Sequence, residues 1–486
     1  MEKVRVRFAP SPTGPLHIGG ARSALFNYLL AKKYNGQFIV RIEDTDRERS
    51  GIEWEENILQ SLRWLGLDWD EGIQVGGEYG PYRQMERLDI YQEYTKKLLE
   101  SGQAYYCYCS TEELDAERQE LSAKNELPRY LGRCRNLTEE QKAEFEAQGR
   151  KPVIRFKVPP GEKIVVDDMV RGKVSFESDG VGDFIIVKSD GIPIYNYAVV
   201  IDDALMEISY VIRGEEHLSN TPRQVLLYQA LDIECPHFAH ISLILGKDRS
   251  KMSKRHGATS VIQYQKEGYL PEALVNFLAL LGWSPDGEEE IFTLEELVKE
   301  FGMDRVAKNP AVFDMEKLKW LNGVYIRQAD TELITQKAIP YLKERGYLPD
   351  DEDIDWEHLN AQIAIAKNYL STISEVSDFF QQFFGIDVEL EDDNAREILQ
   401  QEQVPDVVED FKQKLISLTE IEPGTVKKML KSITKDLNLG GKKVFQPLRV
   451  AITGKTKGPE LHDLIPVLGV EACVKRVNSS LQQAAG

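Results

Sequence analysis

The opening of the chain, from Val4 to Ile42, constrains the fold more than any other stretch. Val4, Val6 and Phe8 alternate with Arg5 and Arg7, the period-two pattern of a short strand. Pro10-Ser11-Pro12-Thr13-Gly14-Pro15 follows, and neither helix nor strand continues through it. Ala21, Ala24, Leu25, Tyr28 and Leu29 then fall on one face of a helix, which Asn35-Gly36 stops. Phe38, Val40 and Ile42 mark a second strand. Strand, loop, helix, strand predicts the opening of a parallel α/β nucleotide-binding fold.

Strand-like apolar sequence returns at Ile208 to Ile212 and at Ile241 to Leu245. Between these two parts, Tyr79 to Tyr195 reads as an insertion, with a Cys-bearing stretch, a polar helical run (Glu112 to Lys124) and short strands such as Val153 to Val158. From about Thr331 the pattern is mainly helical, broken at Pro349, Pro405 and Glu422-Pro423-Gly424. At roughly 100–200 residues per domain, 486 residues suggest about three or four domains. The expectation is a multidomain chain: a Rossmann-type α/β domain in two halves, 1–78 and 196–250, split by an α+β insertion at 79–195. A contact region at 251–330 and an all-α region at 331–486 follow.

A formal net charge of -20 counts against simple coating of nucleic acid, yet phosphate binding needs only local positive charge. Five cysteines in so long a chain argue against a disulfide framework and for a reducing compartment. The N-terminus carries Glu2, Lys3, Arg5 and Arg7 without a long apolar stretch, so it is no secretory signal. The most apolar region, Leu274 to Trp283, is too short to span a bilayer, and the protein is expected in the cytoplasm.

Two short segments carry chemistry. His17-Ile18-Gly19-Gly20 lies between the first strand and the first helix, where parallel α/β folds bind ligands. A helix N-terminus offers free N–H groups to phosphate, the glycines admit a close approach, and His17 can donate to phosphate oxygens. The competing reading is a glycine-rich turn with an incidental histidine. Lys251-Met252-Ser253-Lys254-Arg255 follows the polar loop Gly246 to Ser250, and a single turn would aim Lys251 and Lys254 the same way, as a polyphosphate requires. Its competing reading is a solvated basic loop.

Together the segments resemble the HIGH and KMSKS motifs of class I aminoacyl-tRNA synthetases. Gly20 and Arg255 depart from those motifs, and both variations occur in the glutamyl branch. Arg7-Phe8-Ala9-Pro10-Ser11-Pro12-Thr13-Gly14 and Arg41-Ile42-Glu43-Asp44-Thr45-Asp46 resemble the glutamyl/glutaminyl opening. Val211 to His217 and Asn220 to Gln224 are similar to the later part of that active site, and Leu448 to Gly454 with Gly458-Pro459 to the end of a bacterial glutamyl enzyme. The resemblance covers essentially the whole chain.

It implies an ATP-dependent ligase that joins L-glutamate to tRNA(Glu), with Mg2+ accompanying ATP and tRNA bound before glutamate is activated. It gives Arg7, Ala9, Ser11, Glu43, Tyr195 and Arg213 to glutamate. Arg7 and Arg213 face the carboxylates, Tyr195 supplies a hydroxyl and Glu43 meets the ammonium. It gives Ser11, His17, Gly19, Gly20, Glu216 and Lys254 to ATP, with His17, Lys251 and Lys254 as the catalytic groups. Arg5 is read instead as a strand-edge charge, and His217 and His256 as ordinary site-lining or surface histidines. The insertion is expected to hold the tRNA acceptor end and the helical region the anticodon. There Lys427, Lys428, Lys431, Lys435, Lys442 and Lys443 are either a solvated helix face or phosphate contacts.

Some bacterial glutamyl enzymes bind zinc through Cys-x-Cys and Cys-x-His. Cys107, Cys109 and Cys134 match three positions, but Asn136 occupies the fourth and is a poor zinc ligand, so a vestigial knuckle of reduced cysteines competes with a zinc site. A glutaminyl enzyme would carry β-barrels where this chain reads as helical. The short paralogue that glutamylates a modified tRNA base would lack this region, and a small-molecule nucleotidyltransferase would not need it. An RNA-binding scaffold would not need His17, Lys251 and Lys254. Whether tRNA(Gln) is also charged is left open, and the family implies a monomer without membrane association.

Overall fold

The computed structural model describes residues 3–126, 129–253, 257–349, 354–385 and 388–485. They form two compact units, one of Met1–Gln265 and Pro271–Leu318, the other of Lys266–Leu270 and Lys319–Gly486. The strands of the first unit are, in chain order, β1 (Arg5–Phe8), β2 (Gln37–Val40), β3 (Glu71–Gly72), β4 (Ala104–Cys107), β5 (Val153–Phe156) and β6 (Lys163–Asp168). They continue with β7 (Gly172–Glu177), β8 (Phe184–Val187), β9 (Tyr210–Gly214), β10 (His237–Ile241), β11 (Ile244–Leu245) and β12 (Ala311–Val312). Seven form one sheet in the order β3-β2-β1-β9-β10-β6-β7, parallel throughout except for β7 at the edge.

The helix Ile18–Lys33 links β1 to β2 and is buried nearly all round, not on one face alone. The apolar helix Pro271–Leu280 packs on it, which explains the run Leu274 to Trp283 without a membrane. Gly36 is required where the helix turns back: a Cβ there would stand 2.1 Å from the carbonyl oxygen of Val4. Among the described residues no helix is long and apolar enough to cross a membrane.

Two sequence expectations need correction. Arg5 is not a strand-edge charge, because β1 is central with β2 and β9 on either side, and Arg5 is buried. Its guanidinium pairs with Glu71 at 3.0 Å and donates to the Met206 carbonyl at 2.8 Å. Nor is the span 79–195 wholly separate from the main sheet. β4, β5 and β8 make their own antiparallel sheet, but β6 and β7 extend the parallel one through the pairing of Asp168 with Phe238. Along β6, Ile164, Val166 and Asp168 are buried and the residues between them exposed, the alternation of a half-covered strand.

The regular elements of the second unit are all helices among its described residues. The helix Gly441–Thr453 ends at Gly454, whose φ of 74° closes it in the left-handed conformation. Arg449 of the same helix donates to the carbonyl of Gly458 at 2.9 Å, so the Leu448 to Pro459 signature is a helix stop and the loop it holds. All six lysines between Lys427 and Lys443 named above are exposed.

Candidate active site

Next to β1 the chain order of the sheet reverses, with β2 on one side and β9 on the other, and the crevice beyond their carboxyl ends is the expected ligand site of such a fold. A cavity of about 740 Å³ opens there. Arg7, Ala9, Ser11, His17, Gly19, Gly20, Glu43, Tyr195, Arg213, Glu216 and Lys251 all line it. Lys254, Arg255 and His256 lie outside the described residues.

His17 is the N-cap of the helix Ile18–Lys33, and its Nδ1 accepts the backbone N–H of Gly19 at 3.1 Å. An Nδ1 used as acceptor leaves the proton on Nε2, a donor for a phosphate oxygen. Burial first, then the nearby Lys251, lowers the pKa of His17, which keeps that tautomer neutral near pH 7. A Cβ at Gly20 would meet Leu16 at 3.2 Å and Phe8 at 3.6 Å, so its smallness also serves the packing of helix on strand. The segment after the lysine loop docks on the histidine segment: Ile18 donates to the Thr259 carbonyl and Val261 to that of Leu16, both at 2.9 Å. Lys251 forms an antiparallel bridge with Leu245, closing a tight loop, and no helical turn runs through Lys251 to Ser253.

Arg213, at the end of β9, is 6% exposed. Its Nε donates to His240 Nε2 at 3.2 Å, Nη2 to Thr221 Oγ1 at 2.9 Å and Gln224 Oε1 at 2.7 Å, and Nη1 to the Tyr195 hydroxyl at 3.3 Å. These four acceptors are neutral, and Arg213 makes no ion pair among the described residues. Arg7 differs, since its Nε and Nη2 grip Asp203 at 3.1–3.2 Å. Arg41 is fully buried between Asp203 at 2.8 Å, Glu43 at 2.9 Å and Asp202 at 3.6 Å. Burial raises the pKa of Glu43, against the pull of Arg41 and Arg7. Glu216 is exposed in the turn after β9. His217 stands 3.2 Å from the Tyr195 hydroxyl, and burial, then Arg213, lowers its pKa to about 4.

Sequence reading missed Asp202 and Asp203. Their signal is an acidic doublet within the otherwise apolar helix Tyr195–Leu205, where buried carboxylates demand cations. It also missed Tyr130. The sulfurs of Cys107, Cys109 and Cys134 lie within 4.8 Å of one another. The Tyr130 hydroxyl lies 3.5 Å from Cys107 Sγ and 3.6 Å from Cys109 Sγ, and accepts the Cys134 N–H at 2.8 Å. Three thiols and a phenol oxygen converging in this way fit a tetrahedral zinc ion, whereas Asn136 is exposed.

The paired motifs at the switch point define the site of a class I aminoacyl-tRNA synthetase. Residues 3–320 match the family of class I tRNA synthetases (E and Q), catalytic domain, and residues 333–481 match an anticodon binding domain. The chain is 61% identical to a glutamate–tRNA ligase of Desulforamulus reducens over 99% of this chain and 100% of that one. It is 59% identical to another from Carboxydothermus hydrogenoformans, over 98% and 99%. A crystal structure of a glutamate tRNA ligase from Elizabethkingia meningosepticum in complex with its amino acid superposes with a TM-score of 0.89 at 37% identity, covering 99% of both chains. The chain belongs to the bacterial glutamate–tRNA ligase family of class I synthetases.

Proposed function

We propose that the chain activates L-glutamate with ATP and transfers it to the 3′ end of tRNA(Glu). The observation that carries this reading is Arg213, a buried cation lining the cavity with only neutral partners among the described residues, which calls for an anionic ligand. The substrate's side-chain carboxylate fills that need, with the Tyr195 hydroxyl beside it. The Nη1 of Arg7 faces a carboxylate of the substrate and Glu43 its ammonium, with Ala9 and Ser11 lining the same space.

The α-carboxylate attacks the α-phosphorus of ATP, forming glutamyl-adenylate and releasing pyrophosphate. The terminal ribose hydroxyl of tRNA then attacks the mixed anhydride and releases AMP. No protein nucleophile is needed, and catalysis is positioning plus charge stabilisation. His17 Nε2–H and the N–H groups at Gly19 and Gly20 serve the phosphates, Ser11 and Glu216 flank the nucleotide, and Lys251 with Lys254 holds the pyrophosphate. Mg2+ accompanies ATP. Cys107, Cys109, Cys134 and Tyr130 hold a zinc ion that braces the segment between β4 and β5. Residues 79–195 receive the acceptor end and 331–486 the anticodon, in a cytoplasmic monomer.

The test is aminoacylation of purified glutamate and glutamine tRNAs with labelled glutamate and glutamine. Glutamate on tRNA(Glu) alone establishes a discriminating enzyme, and glutamate on both tRNAs a nondiscriminating one. Glutamine incorporation, or no product on either tRNA, overturns the proposal.

A further inference from the structure

Asp168 and His240 do not line the cavity, yet they form a buried chain that ends on Arg213. His240 Nδ1 lies 2.6 Å from Asp168 Oδ2, and the other ring nitrogen, Nε2, accepts Arg213 Nε–H at 3.2 Å. A nitrogen that accepts from a guanidinium carries no proton, so the ring proton sits on Nδ1 and points to Asp168. Burial keeps the imidazole neutral by lowering its pKa. The Thr221 hydroxyl, 3.0 Å from the same Nε2, accepts Arg213 Nη2–H and completes the clamp. The carboxylate has no freedom to turn: Oδ1 accepts the N–H groups of Val170 at 2.9 Å and Arg171 at 2.7 Å, and Oδ2 accepts the backbone N–H of His240 at 3.1 Å as well as its ring N–H.

We propose that Asp168 and His240 are positioning residues for glutamate: Asp168 fixes the tautomer that leaves His240 Nε2 bare, and that nitrogen holds the Arg213 guanidinium in the plane that receives the substrate carboxylate. The inference rests on the reading of Arg213 given above. It also ties β6, from the span between residues 79 and 195, to amino-acid recognition in the Rossmann core.

Asp168→Asn tests it. Two turn N–H groups on Oδ1 outweigh the one backbone N–H of His240 on Oδ2, so the amide carbonyl stays with the turn and the NH2 faces His240 Nδ1. The ring proton then moves to Nε2 and meets Arg213 Nε–H, donor against donor. In aminoacylation of tRNA(Glu), the glutamate KM is expected to rise about tenfold to a hundredfold with the ATP KM unchanged. His240→Gln keeps an acceptor for Arg213 and has no tautomer, so on that background Asp168→Asn should add less than about twofold. An equal effect on both backgrounds would mean a merely structural role and overturn the proposal.

The unsubstituted protein offers an independent reading. Nitrogen-15 NMR of its histidines should show one Nδ1–H tautomer that disappears in His240→Gln, and an Nε2–H tautomer for His240 would refute the proposal even if Asp168→Asn fails to fold. A raised glutamate KM in Arg213→Ala with none in a folded Asp168→Asn overturns this inference alone. No change in Arg213→Ala overturns the carboxylate assignment and this inference with it.

Discussion

Replacing Arg213 by alanine removes a buried cation that makes no direct ion pair among the described residues. Arg5, Arg7, Arg41 and Arg87 are equally buried, but each faces a carboxylate, at 3.0, 3.1, 2.8 and 2.7 Å respectively. Among the described residues Arg213 donates only to Tyr195, Thr221, Gln224 and His240. In the proposed complex with glutamate, the guanidinium and the substrate carboxylate make a desolvated, charge-assisted pair, and deleting one partner leaves the other buried and alone. Breaking such a pair costs about 3–4 kcal/mol, or two to three orders of magnitude in kcat/KM for glutamate. Without substrate the loss is far smaller, because removing an unpaired cation relieves its desolvation and water from the cavity can reach the vacated acceptors. The unfolding free energy of the free protein should change by no more than about 1 kcal/mol. Arg213→Lys keeps the charge but not the fork and should fall between. The assay is steady-state charging of tRNA(Glu) with glutamate varied and ATP saturating. A glutamate kcat/KM within about threefold of the unsubstituted value would refute the argument.

Four further outcomes are expected. Metal analysis of purified protein should find about one zinc per chain, reduced in Cys134→Ser and held more weakly in Tyr130→Phe, and a zinc-free chain from zinc-containing buffer would refute the site. His217 is held at about 4 in the folded state against an ordinary value near 6.5, so the unfolded chain takes up its proton first. The stability from its neutral burial is therefore complete above about pH 6.5 and lost as pH falls toward 4, at most about 3 kcal/mol, and denaturation of His217→Asn across that range should show a correspondingly flatter decline. Arg41→Met leaves Asp202, Asp203 and Glu43 without their shared cation and should destabilise the fold by about 3–5 kcal/mol in urea titration. Lys251→Ala should raise the activation barrier by about 2–4 kcal/mol in pyrophosphate release with tRNA present, and near-native rates would remove its assigned role.

The parts of the fold legible in the sequence are those set by local pattern. The alternation at Val4 to Phe8, the break at Pro10 to Pro15 and the stop at Asn35-Gly36 specify β1, loop and helix without help from the rest of the chain. The placement of β6 was not legible, because pairing between Asp168 and Phe238 joins residues far apart in sequence and strand periodicity names no partner. Arg5 was misread for a related reason. Alternation marks it as opposite Val4 and Val6, but only Glu71 and the Met206 carbonyl, brought in from β3 and the chain before β9, make that position an interior one. Tyr130 stands four residues before Cys134, but nothing in the sequence pattern marks a phenol as meeting the three thiols until the fold brings its hydroxyl to them.

The same long-range pairing bears on why Arg213 is the arginine assigned to substrate in the proposed reaction. Arg7, Arg41, Arg87 and Arg213 bring four guanidiniums to the region between β1, β9 and the helix Tyr195–Leu205, against the three carboxylates of Asp202, Asp203 and Glu43. Arg7, Arg41 and Arg87 each touch one of these carboxylates directly, whereas Arg213, on the cavity wall, makes no ion pair among the described residues and reaches Asp168 only through His240. In the proposed complex the side-chain carboxylate of glutamate makes that direct pair. Glutamine supplies none and would leave Arg213 buried and unpaired, a penalty of several kcal/mol that an extra hydrogen bond to its amide cannot offset. On that reading, discrimination between two side chains of nearly the same shape follows from the absence of a carboxylate in direct contact with Arg213. A third acid on the helix Tyr195–Leu205 in reach of Arg213 would erase the preference without touching the substrate.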